Sequence, residues 1–214
     1  QYFFVSASIQ DLVAKYKRYY ADDMRFENFH KYHVIQLNDT HPNIAIAELI
    51  RVLVDENGIE FKSALEVAKK VFAFTNHTVL QEALEKWPID IMEEVSPRCL
   101  EIIYMINDIL VNHFKEEGLS ETEIDPYRIV INDQVHMANL AIYVGYSVNG
   151  VAALHTEILK ADTFKHWYEI FPEKFNNKTN GITPRRWLVY SNRELTSFIT
   201  EKLGTEDWKY DLSL

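Results

Sequence analysis

Ile35-Gln36-Leu37-Asn38-Asp39-Thr40-His41-Pro42 is the stretch that decides the fold. With residues 32–34 before it, its apolar half reads as a short buried strand. Its polar half reads as the turn from that strand into a helix. Pro42 sits where a first helical turn begins, because its missing N–H costs nothing there. Asp39 or Thr40 can cap the free amides. The helix then carries Ile46, Ile50, Leu53 and Val54 on one face and stops near Asn57-Gly58.

The same unit recurs further along. Residues 71–75 read as a second strand, Asn76-His77-Thr78 as its exit loop and residues 80–86 as a helix broken by Trp87-Pro88. Upstream, residues 8–20 read as a helix, since Ile9, Leu12, Val13 and Tyr16 fall at i, i+3, i+4 and i+7. Residues 21–30 form a polar loop. Ser63-Ala64-Leu65-Glu66 has the form of a capping box. Downstream, residues 97–115 make a long amphipathic helix with Cys99, Ile103, Ile106, Leu110 and Phe114 inward. Residues 116–126 are an acidic connector, and residues 132–144 a helix with Met137, Leu140, Ala141 and Val144 inward. Gly145-Tyr146-Ser147-Val148-Asn149-Gly150 reads as a tight turn. Residues 151–160 are helical, with His155 toward the apolar side. Residues 167–178 are aromatic and irregular. Ser191-Asn192-Arg193-Glu194 opens a last helix ending at Leu203-Gly204. No internal repeat is present. Strands that feed helices give an α/β class with a parallel sheet.

The 214 residues suffice for one domain with a real core or two small ones. A formal net charge of −10 argues against general binding to nucleic acid or a membrane surface. Lys178, Arg185 and Arg186 are local basic exceptions. No apolar run approaches the ~18 residues of a membrane span. The single cysteine, Cys99, has no internal disulfide partner and reads as a buried structural thiol in a reducing, cytoplasmic setting. Gln1-Tyr2-Phe3-Phe4-Val5 has no basic leader, cleavage signature or initiator Met, so the chain reads as a piece of a longer protein.

Three polar turns hold the candidate chemistry. Asn38, Asp39, Thr40 and His41 lie at a strand's C-terminal end, where ligands of open α/β sheets bind. They can act as acid and base, bind sugar hydroxyls or ligate a metal; they can also be a helix cap with an exposed histidine. His77, between Asn76 and Thr78, has the same setting. His41, His77 and Asp39 are zinc-type ligands, but no pair shows i, i+4 helical spacing, so no metal is expected. Asp39 and Glu82 could pair as glycosidase carboxylates, yet Glu82 with Glu85 reads better as a solvated helix face. In the third turn, Asn177-Lys178-Thr179-Asn180-Gly181-Ile182-Thr183-Pro184-Arg185-Arg186-Trp187, Asn180-Gly181 is a strong turn signal. Arg185 and Arg186 could bind phosphate, Trp187 could stack on a planar ring, or the arginines are simply solvated. Neither a Gly-rich phosphate loop nor a Ser or Cys nucleophile motif occurs.

Four of these segments together resemble the α-glucan phosphorylases, the family of glycogen, starch and maltodextrin phosphorylases. They are residues 35–42; Phe74-Thr75-Asn76-His77-Thr78-Val79 with Glu82-Ala83-Leu84-Glu85; Ser147-Val148-Asn149-Gly150-Val151-Ala152; and residues 177–188, in family order. The resemblance covers nearly the whole chain, to about Gly204. It implies two facing Rossmann-like domains of the GT-B glycosyltransferase type, with the site between them. Residues 1–176 match the later part of the N-terminal domain, and residues 177–214 the crossing and the start of the cofactor domain. The implied reaction is cleavage of a terminal α-1,4-glucosidic bond by inorganic phosphate, giving glucose 1-phosphate. The implied cofactor is pyridoxal 5′-phosphate, and the implied assembly a homodimer.

By this resemblance, the carbonyl of His77 faces the reacting sugar and its side chain binds the 6-hydroxyl. Such a dipole suits an oxocarbenium-like transition state. Asn180 is a second ligand of that glucosyl unit. Asp39 and His41 line the acceptor side, Val151 is a backbone contact near the sugar, and Thr78 belongs to the same substrate set. Trp187 lies close to the cofactor. Two positions depart from the family pattern: Gln81 stands where many members carry Pro, and Gly145-Tyr146-Ser147 replaces Gly-Ser-His. The family's cofactor lysine and substrate-phosphate cluster have no counterpart here, so the chain carries half a cleft and is expected to be inactive alone. The alternative is a non-catalytic glucan-binding module.

Overall fold

The computed structural model describes residues 1–213. They fall into two units, Gln1–Lys178 and Thr179–Leu214.

In chain order the first unit contains α1 (Tyr2–Tyr19), α2 (Phe29–Tyr32), β1 (Ile35–Asn38), α3 (Ala45–Arg51), α4 (Phe61–Val71) and β2 (Phe72–Thr75). There follow β3 (Lys86–Pro88), α5 (Ile89–Val95), α6 (Pro97–Glu116), α7 (Glu121–Ile124), β4 (Val130–Ile131), β5 (Gln134–His136) and α8 (Met137–Val144). It ends with β6 (Ser147–Gly150), α9 (Ala153–Ile158), α10 (Lys165–Ile170) and β7 (Phe175–Asn177).

The main sheet is parallel throughout, in the order β1-β2-β6-β7. Parallel sheets are covered on both faces, and the inner strands show it: Phe72, Ala73, Phe74 and Val148 are all buried. Helix α1 packs Val5, Ile9, Val13 and Tyr16 inward. It starts six residues earlier than its periodicity suggests, because Val5 extends the same stripe. Helix α6 starts where Ser96 accepts the Cys99 N–H and Pro97 fills the first turn. A small antiparallel sheet, in the order β3-β5-β4, lies apart from the main one.

Five local expectations are corrected. Helix α3 begins at Ala45, not at Pro42. Successive turns join Asn43 N–H to Thr40 O, Ala45 N–H to Pro42 O and Ile46 N–H to Asn43 O, and no side chain caps the helix. Ser63 lies inside the first turn of α4, and the cap is Glu60, whose carboxylate accepts the Ser63 N–H at 3.0 Å. Residues 80–86 make one 3₁₀ turn, Gln81–Ala83, and then enter β3. Pro88 is tolerated there because β3 is an edge strand. Residues 130–136 form a hairpin turned at Asn132 and Asp133, with φ of 51° and 56°, and α8 starts only after it. The segment read as a tight turn before Val151 contains β6, an inner strand of the sheet.

In the second unit, a π-helical segment (Arg185–Tyr190) leads to α11 (Arg193–Leu203). Asn192 caps α11 through the Leu195 N–H, and Gly204 ends it at φ 70°. Trp208 is buried and donates its indole N–H to Thr200 Oγ1 at 3.0 Å. Among the described residues no helix is long and apolar enough to cross a membrane.

Candidate functional site

Strand register builds the site. Asn38 pairs with Thr75, Thr75 with Asn149, and Asn149 with Asn176. Register partners in a sheet share a face. Four amide or hydroxyl side chains therefore run straight across the sheet near its C-terminal end, where open α/β sheets bind ligands. Gln36, two residues before Asn38, donates its amide to Thr75 Oγ1 at 2.8 Å, and the Thr75 hydroxyl donates to Asn149 Oδ1 at 2.9 Å. Asn176 Nδ2 donates to Ser147 Oγ at 2.8 Å, so the departure at Ser147 has its own hydrogen bond. Asn149 and Asn176 escaped the sequence reading because β6 looked like a turn and β7 like an irregular segment.

The loops leaving this row carry the residues singled out above. Asp39 adopts φ 63°, an uncommon conformation for a residue with a Cβ. Its N–H donates to Thr75 O at 2.8 Å, and its Oδ1 accepts the Thr40 N–H at 2.6 Å. His77 is exposed, and its Nε2 lies 2.5 Å from Asn38 Oδ1. With that oxygen as acceptor, Nε2 carries the proton and Nδ1 is left as an acceptor. His41 Nδ1 is 3.5 Å from Glu85 Oε1, which also accepts from Gln1. Thr78 directs its polar groups into its own surroundings. Its N–H reaches Asn76 Oδ1, its hydroxyl accepts the Leu80 N–H and its carbonyl faces His155 Nε2. The Val151 N–H donates to His155 Nδ1 at 3.0 Å. Asn38, Asp39, His41, His77, Thr78 and Val151 thus share one edge of the first unit.

This edge offers imidazole, amide and hydroxyl groups and one carboxylate, a set suited to binding polyhydroxylated ligands. Glu82 is exposed on its 3₁₀ turn. Among the described residues, no three His, Cys, Asp or Glu side chains gather as a metal site. The sequence profile of the family described as carbohydrate phosphorylase matches residues 1–214. The chain is 44% identical over 208 residues to a glycogen phosphorylase of Synechocystis, covering 95% of this chain and 24% of that protein. It is 46% identical over 224 residues to the human brain form of glycogen phosphorylase, covering all of this chain and 26% of that one. It is 44% identical to the wheat α-glucan phosphorylase H isozyme, again along its whole length and over 27% of the relative. The chain belongs to the carbohydrate phosphorylase family. It spans about a quarter of the length of these relatives.

In this phosphorylase chain, Asn180 and Trp187 belong to the second unit and are exposed there, Trp187 at 68%. Arg185 and Arg186 are exposed as well, and Arg185 donates to Lys209 O. In the first unit, Gln81 uses its amide to hold Thr163 O at 2.9 Å, a contact Pro could not make. Behind the Val151 turn, Gly150 is the position that admits no side chain. A Cβ there would come within 2.4 Å of Thr156 Oγ1 and 3.0 Å of His155 Nδ1. Thr156 Oγ1 is itself fixed to Ala152 O and Asn177 Oδ1. Gly150→Ala should therefore cost about 1–3 kcal/mol, as overpacking does. The check is the urea midpoint at constant m-value; an unchanged midpoint would contradict the crowding.

Proposed function

We propose that the parent protein is an α-glucan phosphorylase of the GT-B type, in which this chain forms the wall that holds the reacting glucose. The observation that carries the reading is the polar row across the sheet's C-terminal end, with His77 held over it by Asn38, in a chain of this family. The His77 carbonyl is aimed at the sugar carbon that develops positive charge, and its Nδ1 accepts the 6-hydroxyl proton. Asn180 is a second ligand of the same unit. Asp39 and His41 line the glucan side, Thr78 belongs to the substrate-binding set, and Val151 approaches the sugar with its backbone.

Pyridoxal 5′-phosphate bound in the parent would supply phosphate acid–base chemistry. The residues of this chain do not fit its anchoring site. Lys174 has the strongly lowered pKa that an imine-forming lysine needs, about 8 through burial. Its Nζ, however, is held by Ile142 O and Tyr143 O at the end of α8. Trp187 offers only a bordering aromatic face. Homodimeric assembly and a cytoplasmic location complete the reading.

The test is phosphorolysis. The full-length, cofactor-loaded protein with phosphate and maltopentaose should release glucose 1-phosphate, and the 214-residue chain alone should release none. Catalysis needs both walls in register. No product from the full-length protein would overturn the reading. Tight maltopentaose binding by the isolated chain, measured by calorimetry, would favour the binding module instead.

A further inference from the structure

His155 is the one histidine near the site that neither the sequence patterns nor the proposed reaction uses. It sits on α9, just after the Val151 turn, half-buried. Its ring contacts two loops that are far apart in sequence. Nδ1 accepts the Val151 N–H at 3.0 Å, and Nε2 lies 3.3 Å from Thr78 O. One tautomer satisfies both. An N–H pointing at Nδ1 leaves the proton on Nε2, which then donates to the Thr78 carbonyl.

The segment that follows His77 has few other anchors to the rest of the unit. Thr78 and Leu80 bond locally, to Asn76 and to Thr78. Further along, two hydrogen bonds reach outward, from Thr163 Oγ1 to Val79 O and from Gln81 Nε2 to Thr163 O, and the Val79 side chain packs against the core. His77 itself is held by Asn38, and the Asn76 N–H before it by Asn149 O; after His77, His155 is the nearest outward anchor, one residue away. Gly150 leaves room for the ring, since a side chain there would press on Nδ1.

We propose that His155 is a positioning residue: it ties the loop after β2 to the turn after β6 and so sets the aim of the His77 carbonyl. The proposal rests on the reading that this carbonyl faces a glucosyl unit. His155 touches no reacting atom. Losing it should misplace the carbonyl rather than remove a ligand, and small misplacements at a reacting centre reduce turnover steeply.

Three variants of the full-length, cofactor-loaded protein test this. Gln places an amide nitrogen where Nε2 stands and can still donate to Thr78 O. Asn places an oxygen where Nδ1 stands and can only accept from Val151. His155→Ala should lower kcat by about 10²-fold, as a ~1 Å misplacement does, with KM for the glucan changed by less than about threefold. Amide hydrogen exchange in residues 77–81 should rise together with the loss of kcat. His155→Gln should recover most of both readouts, and His155→Asn little. Unchanged exchange in His155→Ala, or recovery by Asn equal to that by Gln, would overturn the proposal. Hydrogen exchange needs no turnover, so absent phosphorolysis in the unmutated protein would count against the proposed function while the loop anchor was still decided.

Discussion

Replacing Glu48 with alanine should remove about 3–5 kcal/mol of stability, the loss expected when one partner of a buried ion pair is deleted. Glu48 is fully buried on α3. Its carboxylate accepts from Arg51 Nε and Nη2 at 2.8 and 2.9 Å, from Ser6 Oγ at 2.7 Å and from Tyr2 OH at 3.2 Å. The Cys99 thiol, pushed up to about 12 by burial, also donates to it. Three helices, α1, α3 and α6, therefore meet on one charge. Alanine would strand these donors and leave Arg51 with Glu56 alone. Glu48→Gln keeps the shape and should lose about 1.5–3 kcal/mol, the worth of charge-assisted hydrogen bonds.

The same group predicts a pH dependence. Burial pushes the Glu48 pKa up, but the hydrogen bonds from Arg51 and Ser6 and the Arg51 charge outweigh it, and the net shift is downward. A carboxylate with a folded pKa below its unfolded value stabilises fully above the unfolded value, about 4.3, and loses that contribution as pH falls through the folded one. Urea unfolding at pH 7 and below pH 4 checks this. Glu48→Gln should narrow the difference between the two conditions, and an equal pH loss in both proteins would remove Glu48 from the account.

Glu48 also shows where the sequence stops being informative. Ile46 and Ile50 mark a buried face of α3, but nothing local says that Ala45 through Ile50 are buried all round, with a carboxylate among them. The first two strands and their exit loops were legible because an apolar run ends in Asn38-Asp39 and in Asn76-His77. Strand β6 was not: Ser147-Val148-Asn149-Gly150 has one large apolar residue and ends in glycine, with Gly145 two residues before it. Its strand conformation comes from pairing with β2 and β7, a tertiary effect. Residues 81–86 have helix-forming composition, yet Lys86, Trp87 and Pro88 pair with β5, and Glu85 O accepts the Met137 N–H. His155 kept helical spacing, so its bridging contacts were invisible without the fold.

In the full-length, cofactor-loaded protein, His77→Ala should reduce kcat/KM by about 10²–10³-fold. Two losses combine. On the proposed function, one is the hydrogen bond to the 6-hydroxyl, worth about tenfold at roughly 1–1.5 kcal/mol. The other is the aim of the loop. The imidazole Nε2–H is fastened to Asn38, and without it the His77 carbonyl keeps only the tie through Thr78 and His155; a shift of about 1 Å can alone cost about 10²-fold. The two losses are separable. His77→Asn places an oxygen near the position of Nδ1, where it can accept the hydroxyl proton, but it does not reach Asn38. It should fall between wild type and alanine. In the synthetic direction, 6-deoxy-α-glucose 1-phosphate should react about tenfold less efficiently than glucose 1-phosphate with the unmutated protein and equally well with His77→Ala. If removal of the 6-hydroxyl penalises both proteins alike, the side chain does not read that hydroxyl, and His77 acts through its backbone and its bond to Asn38 alone.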